Sequence, residues 1–229
     1  MPDHPEIYRS QAEGYEALVS REDYCGNLMP AVQQIINLKG KKVVEFGAGT
    51  GRLTCQMAPL VESIQAFDIS QHMLDTAIKK LSLSGLTNWR AETADHRRVP
   101  VSDHTADLVI SGWSVCYIVV DHPDTWQIEV KKVFQEMQRV LIPGGKTILI
   151  ETLGTGFEEP HPPDHLVDYY AFLESHGFNR SWIRTDYRFE NLETANTLTS
   201  FFFGEAMTKE IVCDERGIIL PECTGIWWK

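Results

Sequence analysis

Paired cysteines are missing from this chain. Its five cysteines, Cys25, Cys55, Cys116, Cys213 and Cys223, form no CxxC pair and no Cys/His spacing of the kind that ligates zinc, and their odd number argues against a disulfide framework. They read as buried thiols of a reducing compartment, and no metal is expected. Long apolar runs are missing too. None approaches the roughly 20 residues of a membrane-spanning helix, so no membrane partner is expected. The opening "MPDHPEIYRSQAEGYEAL" lacks the basic, apolar and small-residue order of a signal peptide, and a cytoplasmic location is the expectation. Basic charge is scarce: 21 Lys and Arg face 32 Asp and Glu, a net charge of -11. That balance works against non-specific nucleic-acid binding, which depends on cations facing phosphates, and "DHRRVP" is too short to form a basic patch. Repeats, low-complexity tracts and Pro/Gly/Ser linkers are also missing. A chain of 229 residues is long enough to bury a core without staples, so one domain over 1–229 is expected.

What is present is an alternation of two periodicities. Two helical segments, about 5–20 and 25–38, come first. Short β-branched runs follow at "KKVVEFG", "SIQAFD", "ADLVISG" and "KTILIET", with a weaker one at "TNWRAET". Between Ser70 and Gly85, Met73, Leu74, Ala77, Ile78 and Leu81 repeat at helical spacing, with Ser70 placed to cap the start. Between Asp124 and Leu141 a second apolar face repeats in the same way. There Asp124 and Gln127 have capping-box spacing, and "PGG" is expected to stop the helix. Strands alternating with such helices imply βαβ units and a parallel sheet covered on both faces. The last third changes pattern: a helix near 163–176, then strand-like "NRSWIRTDYRF" and "IILPECTGIWW" flanking a helical stretch at 191–211, so a terminal hairpin-like pair is expected.

In an open parallel sheet, ligands sit beyond the carboxyl ends of the strands, usually on the turn after the first. "VVEFGAGTGRLT" occupies that turn, with Gly47, Gly49 and Gly51 at alternate positions. Such glycines bare the backbone and admit positive φ. A dinucleotide fingerprint would be GxGxxG, and here its third glycine is replaced by Arg52. The Lys-Ser/Thr pair of a phosphate-binding P-loop does not follow either.

Four stretches in order, "VVEFGAGTGRLT", "AFDISQHML", "AETADHRRVPVSDHTADLVISGWSVCYI" and "EMQRVLIPGGKTILIETLGT", resemble the successive motifs of the class I S-adenosylmethionine-dependent methyltransferases, over about residues 40–155. The resemblance implies a Rossmann-like, doubly wound, seven-stranded and mostly parallel sheet with a C-terminal antiparallel strand. It also implies an N-terminal helical cap at 1–40, a cofactor-binding core at 41–155 and C-terminal helices and hairpin strands at 156–229. The implied cofactor is S-adenosylmethionine, with S-adenosylhomocysteine as product. By the same resemblance the glycine turn meets the methionine portion, Glu45 serves its ammonium, and Asp68 accepts both ribose hydroxyls. Ile69 and Met73 flank the adenine, Asp95 (with Glu92 as a rival) and the backbone of His96 meet the adenine edge, and Ser111 with Gly112 lines the sulfonium end.

The acceptor is not named by any motif. "SGWS" replaces the Asn/Asp-Pro-Pro-aromatic motif of DNA amino-methylation, and Cys116 lacks the Pro-Cys context of pyrimidine-C5 enzymes. In many small-molecule members paired histidines stand where this chain has Cys116 and Tyr117. The remaining acid–base candidates are Tyr117 itself, Tyr8 and Tyr15 in the expected cap, and His161 and His165 in "EEPHPPDHLVDYY"; Trp113 is expected to serve as wall, and the aromatic run "TSFFFGEAM" to pack in the core against the terminal strands, with lining of an acceptor pocket as the alternative. The leading expectation is in-line methyl transfer to a small-molecule acceptor by a monomer or homodimer. A non-catalytic S-adenosylmethionine-binding or partner-docking protein is one alternative. An aminopropyltransferase-like enzyme is another, although "DHPDTW" falls short of that family's paired-aspartate signature.

Overall fold

The β-branched runs become a single twisted sheet in the computed structural model, which describes residues 4–229; the first three residues of the expected 1–40 cap lie outside the described residues. In chain order the strands are β1 Lys42–Phe46, β2 Ser63–Asp68, β3 Trp89–Thr93, β4 Ala106–Gly112, β5 Leu141–Thr155, β6 Asn179–Arg184, β7 Tyr187–Phe189, β8 Val212–Asp214, β9 Gly217–Leu220 and β10 Glu222–Trp228. The helices are α1 His4–Ser10, α2 Ala12–Val19, α3 Leu28–Ile35, α4 Arg52–Met57, α5 Gln71–Leu83, α6 Cys116–Asp121, α7 Trp126–Val140, α8 Val167–Ser175 and α9 Leu192–Phe203.

The seven-stranded sheet has the order β3-β2-β1-β4-β5-β10-β6. β1 to β5 are parallel to one another and β10 runs antiparallel between β5 and β6. Strand order therefore reverses between β1 and β4, the place where an α/β sheet opens a crevice for a ligand. Alternation along the strands feeds two apolar layers. Val43, Leu108, Ile110, Ile148 and Ile226 pack on Leu28, Val32, Leu53 and Met57 of α3 and α4, while Val44, Phe46, Val109, Leu149 and Trp227 pack on α7 and α8. A second, three-stranded sheet, β7-β9-β8, lies apart from the first. Tyr187, Phe189 and Leu220 from it meet Ile7, Leu18, Ala195 and Phe202 in a third apolar cluster, which joins α1, α2 and α9 into a lid.

Several local expectations are corrected. The first helical segment breaks at Gln11 into α1 and α2. The capping box at Asp124 is not formed: a turn bonds Thr125 N–H to the His122 carbonyl, the N-cap moves to Thr125, and no side chain caps the helix. "PGG" does not stop α7 either. The helix ends at Val140 because Leu141 is already paired with Ala106 of β4, and residues 142–145 form an outward bulge before pairing resumes at Leu108 and Lys146. The strand pair β6 and β10 exists but is not a hairpin by connection, since β7, α9, β8 and β9 intervene between the two strands.

The indole of Trp227 is fully buried and stacks on Tyr170, with ring centroids 4.6 Å apart. Truncation of a buried aromatic costs about 3–5 kcal/mol. Trp227→Ala should lower unfolding stability by that amount in urea titrations, in one transition. A loss below about 1 kcal/mol would show that β10 is peripheral to the core.

Candidate active site

At the carboxyl ends of β1 and β2 the chain makes two tight turns that lock together. Gly47, Gly49 and Gly51 all have positive φ, at 73°, 54° and 78°. The Gly47 and Ala48 amides donate to the Phe67 carbonyl at 2.7 and 2.9 Å. The Gly49 amide donates to Asp68 Oδ2 at 2.8 Å, and Asp68 Oδ1 accepts from the Ser70 amide at 2.8 Å. Asp68 is thereby fixed by two backbone donors, one from each turn. The glycines have different neighbours. A Cβ on Gly47 would fall 2.0 Å from Ser114 Oγ and 3.1 Å from His96 Nε2, whereas one on Gly51 would fall 2.8 Å from the Ala77 Cβ of α5. Gly51 thus performs the close packing that the third glycine of a dinucleotide turn performs, one residue early, and Arg52 is free to leave the turn.

The remaining expected cofactor residues surround this turn. Glu45 is buried under it, receives a hydrogen bond from Thr54 Oγ1 at 2.6 Å, and has its carboxyl pushed up to about 8 by burial. Ser111, near the end of β4, is fully buried and its Oγ has no protein partner. Ile69 is 72% exposed, an unusual setting for an isoleucine, while Met73 is a core residue of α5. Asp95 is turned onto Arg97, whose Nε and backbone amide both reach its Oδ1 at 2.8 Å; that pairing holds its carboxyl down at about 2. The rival Glu92 is paired with Arg90. His96 stacks on Phe46 at 5.9 Å, and burial holds its imidazole below the ordinary value.

The lid closes on the same edge. Ser70 Oγ donates to the Tyr8 carbonyl at 2.8 Å, the Ala12 amide donates to His72 Nε2 at 3.2 Å, and Lys80 pairs with Glu16 at 2.6 Å. Under α1, Tyr8 and Tyr117 share a hydroxyl–hydroxyl hydrogen bond of 2.5 Å, and Tyr15 meets the Tyr8 ring edge-on at 5.5 Å. Burial pushes all three phenols up, so at neutral pH they are hydrogen-bond donors and not bases. His161 and His165 are not part of this group. Both are exposed, His161 stacks on Phe157 at 4.1 Å, and neither forms a hydrogen bond or ring contact with the tyrosines.

Sequence reasoning missed the partners of Arg52 and two buried acids. Arg52 is clamped between Glu22 and the face of Trp113, 4.0 Å from the ring centroid. Trp113 has a positive φ of 49°, a strained conformation for a bulky residue and a common companion of functional sites. Glu151 and Glu222 are buried on β5 and β10, each with an Oε2 that has no partner. Acids inside the otherwise apolar "ILIET" and "IILPECTG" were the available signal. Among the described residues no His, Cys, Asp and Glu group could hold a metal, and no helix is long and apolar enough to cross a membrane.

Residues 44–149 match a family described as a methyltransferase domain. Over these residues, a little under half of the chain, it is similar to the methyltransferase-domain family. The chain is 30% identical over 117 residues to a demethylmenaquinone methyltransferase of Geobacillus, covering 50% of this chain and 46% of that one. It is 26% identical over 142 residues to the ubiquinone/menaquinone biosynthesis C-methyltransferase UbiE of Haemophilus ducreyi, covering 58% and 49%. The chain therefore spans about half the length of the curated relatives it matches. A crystal structure of a putative methyltransferase from Bacillus halodurans superposes with a TM-score of 0.57 at 19% identity, over 88% of this chain and 97% of that one, and so shares the fold.

Two outcomes follow. Asp68→Ala should weaken S-adenosylhomocysteine binding at least about tenfold by calorimetry, or about 1.4 kcal/mol, because a charged acceptor is lost and the glycine turn is untied. Unchanged affinity in a folded variant would refute the ribose role expected of it. The buried acids set a pH dependence of stability: Glu45 and Glu151 are held at about 8 and about 7, above their unfolded values. The native state therefore keeps protons that the unfolded chain releases above about pH 4.3. Stability from these groups is full below that pH and is lost as pH rises through 7 to 8. Urea midpoints should fall between pH 5 and 8, and Glu45→Gln, which keeps a partner for Thr54, should flatten the fall; a parallel slope in the variant would contradict the assignment.

Proposed function

We propose that the chain transfers the methyl group of S-adenosylmethionine to a small, planar, largely apolar acceptor held between the cap and the carboxyl ends of β4 and β5. The observation that carries this reading is the junction at Ser70, whose side chain bonds the Tyr8 carbonyl of the cap while its amide bonds Asp68 of the cofactor edge. One lid segment thus covers both halves of the site. Bare backbone at Gly47 and Gly49 would receive the methionine portion, with Glu45 and Ser111 toward its ammonium and Asp68 toward the ribose. Ile69 would cover one adenine face beside Met73. Asp95, once released from Arg97, and the His96 amide would meet its edge. Bound there, the cofactor supplies an activated methyl on a sulfonium, and the protein's work is to align the acceptor and exclude water.

The aromatic lid supports this acceptor character. Tyr8, Tyr15, Tyr117 and Phe202 present ring faces and edges to one another at 5.5–6.4 Å, a lining suited to a flat ring. The names of the two curated relatives, both quinone-pathway methyltransferases, support the same acceptor type at low identity. Residues 1–229 would act as one unit in the cytoplasm. Methyl-labelled S-adenosylmethionine incubated with the protein and a metabolite extract should label a low-molecular-mass aromatic product, and calorimetry should show binding of both cofactor forms. Binding without any labelled product would make the chain a non-catalytic binder; label confined to protein or nucleic acid would overturn the small-molecule reading.

A further inference from the structure

Within the acceptor half of the site, one carboxylate is built as a proton acceptor. Glu151 stands one residue beyond the last paired position of β4 and β5, Gly112 with Ile150, on the rim where ligands of such sheets bind. Alternation places it on the side of Leu149 and Leu153, the layer covered by α6 and α8, and Ser111 falls on that side of β4 by the same rule. Its two oxygens are treated differently. Oε1 accepts from the Cys116 amide at 3.1 Å and from the Tyr169 hydroxyl at 3.1 Å, so two elements hold the carboxyl in one orientation. Oε2 is buried and has no partner, and the Ser111 Oγ is likewise unpartnered. A buried acceptor left empty costs about 1–3 kcal/mol, a cost that a ligand donor would remove.

We propose that Glu151 is the general base of the transfer, taking the proton from an acceptor that bears an acidic O–H, such as a phenol, an enol or a hydroquinone. The inference rests on the methyltransferase reading above. In the step, the acceptor oxygen or its conjugated ring carbon bonds to the methyl carbon and the carbon–sulfur bond breaks. Its electron pair stays on sulfur, giving neutral S-adenosylhomocysteine, and the acceptor proton passes to Oε2 of Glu151. No oxidant or further reactant is needed. The other titratable groups facing Glu151 are Cys116 and Tyr117 from α6 and Tyr169 and Tyr170 from α8. All four are held protonated by burial, which leaves the carboxylate as the group able to accept a proton near neutrality, at about 7.

The test compares wild type with Glu151→Gln, whose amide oxygen can still accept from Cys116 and Tyr169. Three measurements are made: calorimetric titration with S-adenosylhomocysteine, the rate of labelled-methyl transfer into the extract product between pH 6 and 9, and infrared titration of buried carboxyl groups. The expected result is cofactor-product affinity within about threefold of wild type, transfer reduced about 100-fold or more, loss of the wild-type rise in rate through pH 7, and loss of one titrating carboxyl band. Transfer within threefold of wild type, or an unchanged pH profile, overturns the assignment while leaving methyl transfer intact. A parallel loss of S-adenosylhomocysteine binding also overturns it, by making Glu151 part of the framework. Absence of labelled product from wild type overturns the methyltransferase reading and this assignment with it. If Glu151→Gln does not fold, Glu151→Asp carries the test: it keeps a base on a shorter arm, so transfer should persist at a lower rate with a displaced inflection, and an undisplaced one overturns the proposal.

Discussion

Asp68 is the constraint on which the rest of the site depends. One carboxylate takes an amide from the glycine turn and another from the start of α5, so the ends of β1 and β2 cannot move independently. Two charge-assisted bonds to backbone donors are each stronger than a neutral pair, and they hold three left-handed glycines whose conformational freedom would otherwise be large. Ser70, fixed in the same knot, caps α5 through its hydroxyl and anchors the cap through Tyr8. The glycine turn, the start of α5 and the lid are therefore tied together at one point.

Around that knot the protein hides an unusual amount of polarity. Glu45 near the end of β1, Glu151 within β5 and Glu222 at the start of the antiparallel β10 are buried, and burial raises all three carboxyls toward neutrality. The lid answers with aromatic rings and phenols that burial keeps protonated. Groups buried in this way interact with little screening by water, the setting in which positioned groups matter most.

The sheet was legible because β-branched runs and helical apolar faces are long signals summed over many residues. The ends of elements were less so. Asp124 and "PGG" carry strong local signals, yet pairing of Leu141 with Ala106 ends α7 and turns the glycines into a bulge, so tertiary pairing outweighed capping chemistry. In the site, the glycine turn and Asp68 could be read from spacing and resemblance since they are close in the chain. Tyr8 and Tyr117, 109 residues apart, could be named only separately, and their contact emerged from the folded cap. His161 and His165 attracted notice by residue type and by their place just after the fifth strand, and the fold leaves them exposed. Arg52, Glu22 and Trp113 escaped as a group because their partnership joins a helix start, an N-terminal turn and a strained strand end.

The packing glycine at position 51 has a further consequence. A helix seated one residue earlier against its neighbour is rotated by about 100° in what its next position presents, given 3.6 residues per turn. In a dinucleotide turn that position is occupied by the contact itself; here it is vacated, and Arg52 swings out to reach Trp113 and Glu22. The link between core and lid thus follows from this angular offset: a single step in the phase of α4 sends Arg52 out of the turn to Trp113 and Glu22.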